Sequence, residues 1–164
     1  MHPRELTDTE TLDRMSNVLR TEAKALDMMA AGLDASHLKA VALIEAMEGR
    51  VIVSGVGKSG HIGNKIAATL ASTGTPAQFV HATEASHGDL GMVTARDVCL
   101  VISNSGETTE LADIITYSRR FAIPLIAITR NAESTLATQA DVTLLLPQAP
   151  EACGIGMAPT TSTT

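Results

Sequence analysis

The sequence has 164 residues, of which 45% are hydrophobic and only 2% aromatic, and its formal net charge is −6. This length and hydrophobic content suffice for one domain with an aliphatic core, and the negative charge argues against a surface for nucleic acid or anionic membrane. The first residues are polar and no apolar run reaches the length of a bilayer span, so we expect a cytoplasmic protein without signal peptide or membrane anchor.

Two helices are predicted at the start of the chain. Apolar residues recur with helical spacing over residues 8–33, behind the capping candidates Thr7 and Thr9. A second helix with an apolar stripe is predicted over residues 34–49. We therefore interpret residues 1–50 as an N-terminal helical segment packed on the domain that follows.

Short apolar runs alternate with helical stretches from residue 51 onward, which is the order expected of βα units. The runs lack the polar–apolar alternation of half-exposed strands, and this predicts a parallel sheet with helices on both faces. We therefore predict a three-layer α/β/α domain with a five-stranded parallel sheet over residues 51–164. The predicted strands are VIVSG, AQFV, DVCLVIS, PLIAIT and VTLLLP.

The loop after the first predicted strand, residues 55–60, has the G-x-G-x-x-G spacing of dinucleotide-binding proteins. That fingerprint also needs an acidic residue about 20 positions later, at the end of the second strand, and here Glu84 lies several residues beyond that end. A Walker A loop is excluded because Ile52 occupies the position of its first glycine. Nucleotide binding is therefore the less favoured interpretation of this loop.

The loop after the third predicted strand, residues 103–110, places four hydroxyl side chains and a glycine between a strand end and a helix start. Free N–H groups at a helix N-terminus favour an anion, and Ser and Thr hydroxyls donate hydrogen bonds without adding charge. A helix cap built on Ser105 or Thr108 would need fewer hydroxyls than this. The pattern predicts a phosphate-binding loop.

These loops resemble those of the sugar isomerase (SIS) domain family, whose members have a G-x-G-x-S loop followed by an S-x-S-G-x-T loop. Within it, the sequence is most similar to bacterial arabinose 5-phosphate isomerases. The resemblance covers most of residues 51–164 and is carried by GVGKSGHIGNKIAATLASTGTPAQFVHATEASHGDLGMV, ISNSGETTE and EACGIGMAPTTSTT.

The resemblance implies a flavodoxin-like SIS fold and an isomerase that interconverts D-ribulose 5-phosphate and D-arabinose 5-phosphate, in the synthesis of lipopolysaccharide or capsule. It also implies a homotetramer with active sites shared between subunits and a sugar phosphate as the small-molecule partner. The reaction passes through a cis-enediol, in which one group moves a proton between carbons and another moves a proton between oxygens. Carboxylates and an imidazole suffice for these transfers, so no cofactor is required.

The resemblance assigns four catalytic residues, namely Lys58, Glu110, Glu151 and His87. Glu151 is the carbon base, and we expect partial burial to raise its pKa towards neutrality. Lys58 offsets the charge of the phosphate or the enediolate, and Glu110 orients Lys58 or moves the proton between oxygens. His87 or His81 assists ring opening as an acid or base.

The resemblance also assigns a set of substrate-binding residues from three loops and one turn. His81 is in addition the one candidate ligand for an incidental zinc ion, although no second ligand accompanies it at a suitable spacing. Cys99 and Cys153 are far apart in the sequence and are expected to be reduced thiols. The substrate-binding set is Gly57, Ser59, Gly74, Thr75, His81, His87, Ser103, Asn104, Ser105 and Thr108.

The SIS domains of the family continue, after the segment that matches Thr164, into a long helix and a histidine-containing segment. In many relatives paired cystathionine-β-synthase (CBS) modules follow. We therefore expect a C-terminally incomplete SIS domain. Three alternatives stay open: a non-catalytic SIS module that binds a sugar phosphate, as in some transcription regulators; an isomerase of another sugar phosphate, such as a hexose or heptose phosphate; and a nucleotide-binding domain.

Overall fold

The computed structural model describes residues 6–153 and 159–163 of the chain. The chain divides into two compact units, one formed by Leu33–Leu146 and the other by Met1–Gly32 together with Pro147–Thr164. The predicted division into residues 1–50 and 51–164 stays a prediction.

The unit that contains the chain start is built on the long helix α1 (Asp8–Ala31). Its first turn is closed by a capping box, in which the Thr7 hydroxyl accepts from the Glu10 N–H at 3.3 Å and the Glu10 carboxylate accepts from the Thr7 N–H at 2.9 Å. The predicted first helix is thus confirmed. In the described part of the chain, neither α1 nor any other helix has the length and hydropathy needed to traverse a bilayer.

The unit of residues 33–146 contains all five strands, in the order β2-β1-β3-β4-β5, and every neighbouring pair is parallel. The predicted parallel sheet is confirmed. The elements are α2 (Ala35–Ala46), β1 (Val51–Gly55), α3 (Lys58–Ser72), β2 (Ala77–Phe79), α4 (Ala82–Ser86), β3 (Val98–Ile102), α5 (Ala112–Arg120), β4 (Leu125–Thr129), α6 (Thr135–Gln139) and β5 (Val142–Leu145).

Each face of the sheet carries its own apolar core. On one face Ile52 and Val101 pack with residues of α4, α5 and α6, such as Leu136 in α6, and with Leu111 just before α5. On the other face residues such as Val53 pack with α2 and α3. Burying one large aliphatic side chain contributes about 1.5–3 kcal/mol. Because successive side chains of a strand point to opposite faces and both faces are covered, apolar residues are favoured at every position of the strands. The three-layer architecture is confirmed.

The strand order reverses between β1 and β3, because β1 pairs with β2 on one side and with β3 on the other. Gly55 at the end of β1 is in register with Ile102 at the end of β3. The loops that follow these two strands therefore leave the same edge of the sheet side by side. Ligands of open α/β sheets bind at this kind of position.

The loop predicted after the second strand contains a short helix that the sequence pattern did not indicate. Helix α4 occupies five residues, Ala82–Ser86, with His81 at its N-cap and His87 at its C-cap. It is followed by a 3-10 helix over Asp89–Met92. Both histidines assigned to substrate thus lie at the ends of this helix.

Candidate functional site

The loop after β1 is short and ends directly in α3. Gly57 is the N-cap of α3 with φ of 59°, and no side chain closes the cap. Lys58 is the first helical residue and is exposed, and Ser59 is half-buried. A cation is unfavourable near the positive end of a helix dipole, so helix formation does not account for Lys58. A helix N-terminus of this kind is suited to an anion.

The loop after β3 is held by hydrogen bonds among its own residues. The Ser103 hydroxyl accepts from the Gly106 N–H at 3.0 Å and shares a hydrogen bond with the Thr108 hydroxyl at 2.8 Å. Ser103 is only 3% exposed, so its hydroxyl stabilises the loop from inside. Asn104 and Ser105 are exposed and Thr108 is half-buried, which makes these three the side chains available to a ligand.

The 3-10 helix Thr109–Leu111 follows this loop and carries Glu110, which is exposed. The Glu110 carboxylate accepts a hydrogen bond from the Thr109 hydroxyl at 3.1 Å. In the described residues Glu110 and Lys58 are not ion-paired. The predicted orientation of Lys58 by Glu110 therefore stays a prediction, as does the role of Glu110 in moving a proton.

His81 has one ring nitrogen already engaged. Its Nδ1 accepts a hydrogen bond from the Thr83 N–H at 3.3 Å, which caps α4. This assigns the proton of the neutral ring to Nε2, which is left for a ligand. Residues 6–153 and 159–163 contain no group of three or more His, Cys, Asp or Glu side chains arranged for a metal ion. The incidental zinc at His81 stays a prediction.

Gly74 and Thr75 lie at the other edge of the sheet. They form the turn between α3 and β2, with φ of 96° at Gly74 and a hydrogen bond of 2.9 Å from the Thr75 N–H to the Leu70 carbonyl. Because all strands are parallel, this turn is at the amino edge, opposite the loops after β1 and β3. The fold of residues 33–146 does not bring Gly74 and Thr75 to those loops.

Glu151 belongs to the unit that contains the chain start, and it closes a turn there. Its carboxylate accepts from the backbone N–H groups of Thr160 at 2.6 Å and Thr161 at 2.7 Å, and from the Thr160 hydroxyl at 3.2 Å. Desolvation acts to raise its pKa, but the nearby Ser162 hydroxyl and the backbone N–H groups of residues 160–162 outweigh it and lower the pKa to about 2. The prediction of a raised pKa at Glu151 is wrong.

The depressed pKa of Glu151 predicts a specific pH dependence of stability. Because the pKa falls from an ordinary 4.5 to about 2 on folding, the ionised carboxylate stabilises the fold above pH 4.5, and this contribution is lost as the pH falls towards 2. Denaturant unfolding of the unaltered chain and of Glu151→Gln should therefore differ by a constant amount at neutral pH. The difference should shrink below pH 4.5, whereas a difference that is independent of pH down to about 2 would contradict this assignment.

Glu107 is a residue of the site that the sequence reasoning missed. Its carboxylate accepts hydrogen bonds from the Thr135 N–H at 2.7 Å and the Thr135 hydroxyl at 2.8 Å. The sequence does carry a signal for it, namely an acidic residue inside a loop predicted to bind an anion. A negative charge there repels the anion, so the residue is expected to have another role.

The comparison with known families and proteins agrees with this arrangement. The family described as SIS domain matches residues 44–164. Arabinose 5-phosphate isomerase KdsD of Pseudomonas aeruginosa PAO1 is 49% identical over 159 residues, which are 95% of this chain and 49% of that protein. The protein of the same name from Escherichia coli K12 is 58% identical over 117 residues, which are 71% of this chain and 36% of that protein. The chain thus spans about half or less of the length of these curated relatives.

A solved structure also matches nearly the whole chain. The structure of E. coli CFT073 c3406 in complex with arabinose 5-phosphate superimposes with a TM-score of 0.91 and 39% sequence identity, and the match covers 96% of this chain and 84% of that one.

Proposed function

We propose that this chain, which belongs to the SIS domain family, is the isomerase domain of an arabinose 5-phosphate isomerase that interconverts D-ribulose 5-phosphate and D-arabinose 5-phosphate. The observation that carries the proposal is the hydroxyl-rich loop after β3 beside the open N-terminus of α3 at the strand-order reversal. The names of the relatives support the pentose phosphate as substrate. So does the arabinose 5-phosphate bound in the similar structure.

The phosphate group is the part of the substrate that the described loops suit best. The Ser105 and Thr108 hydroxyls and the free N–H groups at the start of α3 donate to phosphate oxygens without adding net charge. Lys58 at the same edge supplies the positive charge that these neutral donors lack. Binding by this set fixes the sugar at the carboxyl edge of the sheet.

The isomerisation moves one proton between C1 and C2 and one between the oxygens on those carbons, by way of the cis-enediol. The Lys58 ammonium stabilises negative charge on the enediolate oxygen, and Glu110 transfers the proton between oxygens. With a pKa of about 2, Glu151 is a weak carbon base in this arrangement. The role of carbon base, which takes the C1 proton and returns it to C2, is assigned to Glu151 by the resemblance alone.

The test is turnover by the purified chain, measured as formation of D-arabinose 5-phosphate from D-ribulose 5-phosphate. A thermal-shift titration with D-arabinose 5-phosphate runs beside it, with unphosphorylated D-arabinose as the matched control. A ligand that binds only the native state raises the melting temperature with its concentration. Turnover together with stabilisation by the phosphorylated sugar alone is the expected result. Stabilisation without turnover would favour the sugar-phosphate-binding module instead, and no response to either sugar would contradict the proposal.

We also infer a homo-oligomer, a tetramer by the resemblance, whose subunits share active sites. Large apolar side chains on α1 and α2 are exposed in the single chain, and Leu38 is 73% exposed. Within residues 33–146, Gly74 and Thr75 lie at the edge of the sheet opposite the loops after β1 and β3, so a second copy that shares its active site is one way to bring them to a substrate. Size-exclusion chromatography with light scattering should give a mass above the 17.1 kDa of the monomer. A monomer at micromolar concentration would contradict this inference. The exposed residues are Leu12, Met15, Leu19, Leu26, Leu38 and Val41.

We place this reaction in the cytoplasm, where it supplies the synthesis of lipopolysaccharide or capsule. The names of the relatives support an isomerase that acts on a soluble sugar phosphate, and such substrates are cytoplasmic metabolites.

A further inference from the structure

Glu107 connects the candidate phosphate loop to the element that follows the next strand. One of its carboxylate oxygens accepts from the Thr135 N–H at 2.7 Å and the other accepts from the Thr135 hydroxyl at 2.8 Å. The preceding residue is held by the same helix, because the Gly106 carbonyl accepts from the Leu136 N–H at 3.1 Å. Two consecutive loop residues are thus bonded to two consecutive residues of α6.

The charge of Glu107 makes this contact informative. A carboxylate in a loop that receives a phosphate opposes binding by Coulomb repulsion, so a loop selected only for affinity would carry a neutral residue there. Hydrogen bonds from the Thr135 N–H and then from the Thr135 hydroxyl lower the pKa of Glu107, so the carboxylate is ionised at neutral pH. Both of its oxygens accept hydrogen bonds from Thr135 of α6.

The backbone of Glu107 contacts one of those hydroxyls. The Glu107 N–H donates to the Ser105 hydroxyl oxygen at 3.2 Å. The Ser105 hydroxyl oxygen therefore accepts a hydrogen bond from the backbone, and the hydroxyl can still donate its own proton to a ligand. The backbone of Glu107 therefore restrains the exposed Ser105 hydroxyl through this hydrogen bond.

We infer that Glu107, through its two hydrogen bonds with Thr135, is a positioning residue that holds the Ser105 hydroxyl in its phosphate-binding orientation. This inference rests on the proposed function, because it takes the loop after β3 as the phosphate site. Glu107 contacts no substrate in this account and acts through Ser105.

The experiment compares Glu107→Ala with the matched control Glu133→Ala. Glu133 is an exposed carboxylate two residues before Thr135, and its side chain makes no hydrogen bond in the described part of the chain. Each variant removes one negative charge from the region, but only the first removes the contact with Thr135. The readouts are the Kd for inorganic phosphate, measured calorimetrically far below the melting temperature, and kcat and KM for D-ribulose 5-phosphate.

We expect Glu107→Ala to raise the Kd for phosphate and the KM about tenfold, the loss expected for one charge-assisted hydrogen-bonded contact. Its kcat should change by less than about twofold. Thr135→Val, which keeps the N–H donor and loses the hydroxyl, should raise the Kd about threefold and add little to Glu107→Ala. Glu107→Gln keeps one acceptor oxygen and should lie between the alanine variant and the unaltered chain.

Several outcomes would overturn the inference. Tighter phosphate binding by Glu107→Ala, or equally tighter binding by both alanine variants, would mean that Coulomb repulsion is the whole effect. Equally weaker binding by both would mean that the contact with Thr135 has no specific role. A lower melting temperature with an unchanged Kd would make the contact merely structural. An unaltered chain that does not bind phosphate would remove the site. An unaltered chain that binds phosphate without turnover defeats only the proposed catalysis, and the Kd comparison still decides the role of Glu107.

Discussion

Gly106→Ala should lower the free energy of unfolding by about 3 kcal/mol, the sum expected for a left-handed backbone and an overpacked site. Gly106 has φ of 71°, and an added Cβ would overlap the Ser134 side chain and come within 3.0 Å of the Thr129 hydroxyl. Ser134 cannot move away, because it is fully buried and its hydroxyl donates to the Asn131 carbonyl at 2.8 Å and accepts from the Ala137 N–H at 3.2 Å. Urea denaturation measures the loss, and phosphate binding should weaken with it because the loop must shift.

Gly57→Ala is the matched control for this prediction. Gly57 also has a positive φ, of 59°, here with ψ of −129°, but an added Cβ would meet nothing within 4 Å. This variant should lose only the contribution of the backbone conformation, on the order of 1–3 kcal/mol. Equal losses in the two variants would show that the loop after β3 moves freely away from α6, contrary to the contacts described above.

The sheet could be predicted from the sequence because its strands are apolar on both faces. VIVSG and PLIAIT appear in the structure as Val51–Gly55 and Leu125–Thr129, with ends within one residue of the prediction. Helix α4 could not be predicted, because five residues are too few to show a helical period and the cap at His81 is formed by an imidazole nitrogen. The sequence does not indicate that α3 begins at Lys58, because glycines that serve close packing, such as Gly60 against the Gly55 backbone, also resemble loop residues.

The site could be predicted as a set of residue types at one edge of the sheet, but not as a set of contacts. Hydroxyl content identified the loop after β3, and nothing in the sequence indicated that the Ser103 hydroxyl is directed inward. Glu107 and Thr135 are 28 residues apart, and only the packing of α6 brings them together. Partial burial was expected to raise the pKa of Glu151, whereas the N–H groups that lower it come from residues 160–162. Which donor meets which acceptor is decided by tertiary structure.

Lys58→Met should lower kcat/KM for D-ribulose 5-phosphate by about 100-fold or more, the usual cost of removing one electrostatic contact to a developing oxyanion. Methionine keeps the length and apolar stem of lysine and removes only the charge. The melting temperature should stay the same or rise, because the Lys58 side chain has no hydrogen bond or salt bridge in the described residues and its charge is unfavourable at the first position of α3. Turnover assays and thermal unfolding of the same preparations test both statements.

Lys65→Met is the control, since Lys65 is an exposed lysine about two turns further along the same helix. Both substitutions reduce the positive charge of α3 equally, so a general loss of attraction for the anionic substrate would lower kcat/KM to a similar extent in each. A large loss confined to Lys58→Met, with unchanged stability, places the charge at the reacting sugar or its phosphate. A small loss of kcat/KM in Lys58→Met would contradict the role of its charge. The anion would then be held by neutral donors, namely the open N-terminus of α3 and the hydroxyls of the loop after β3.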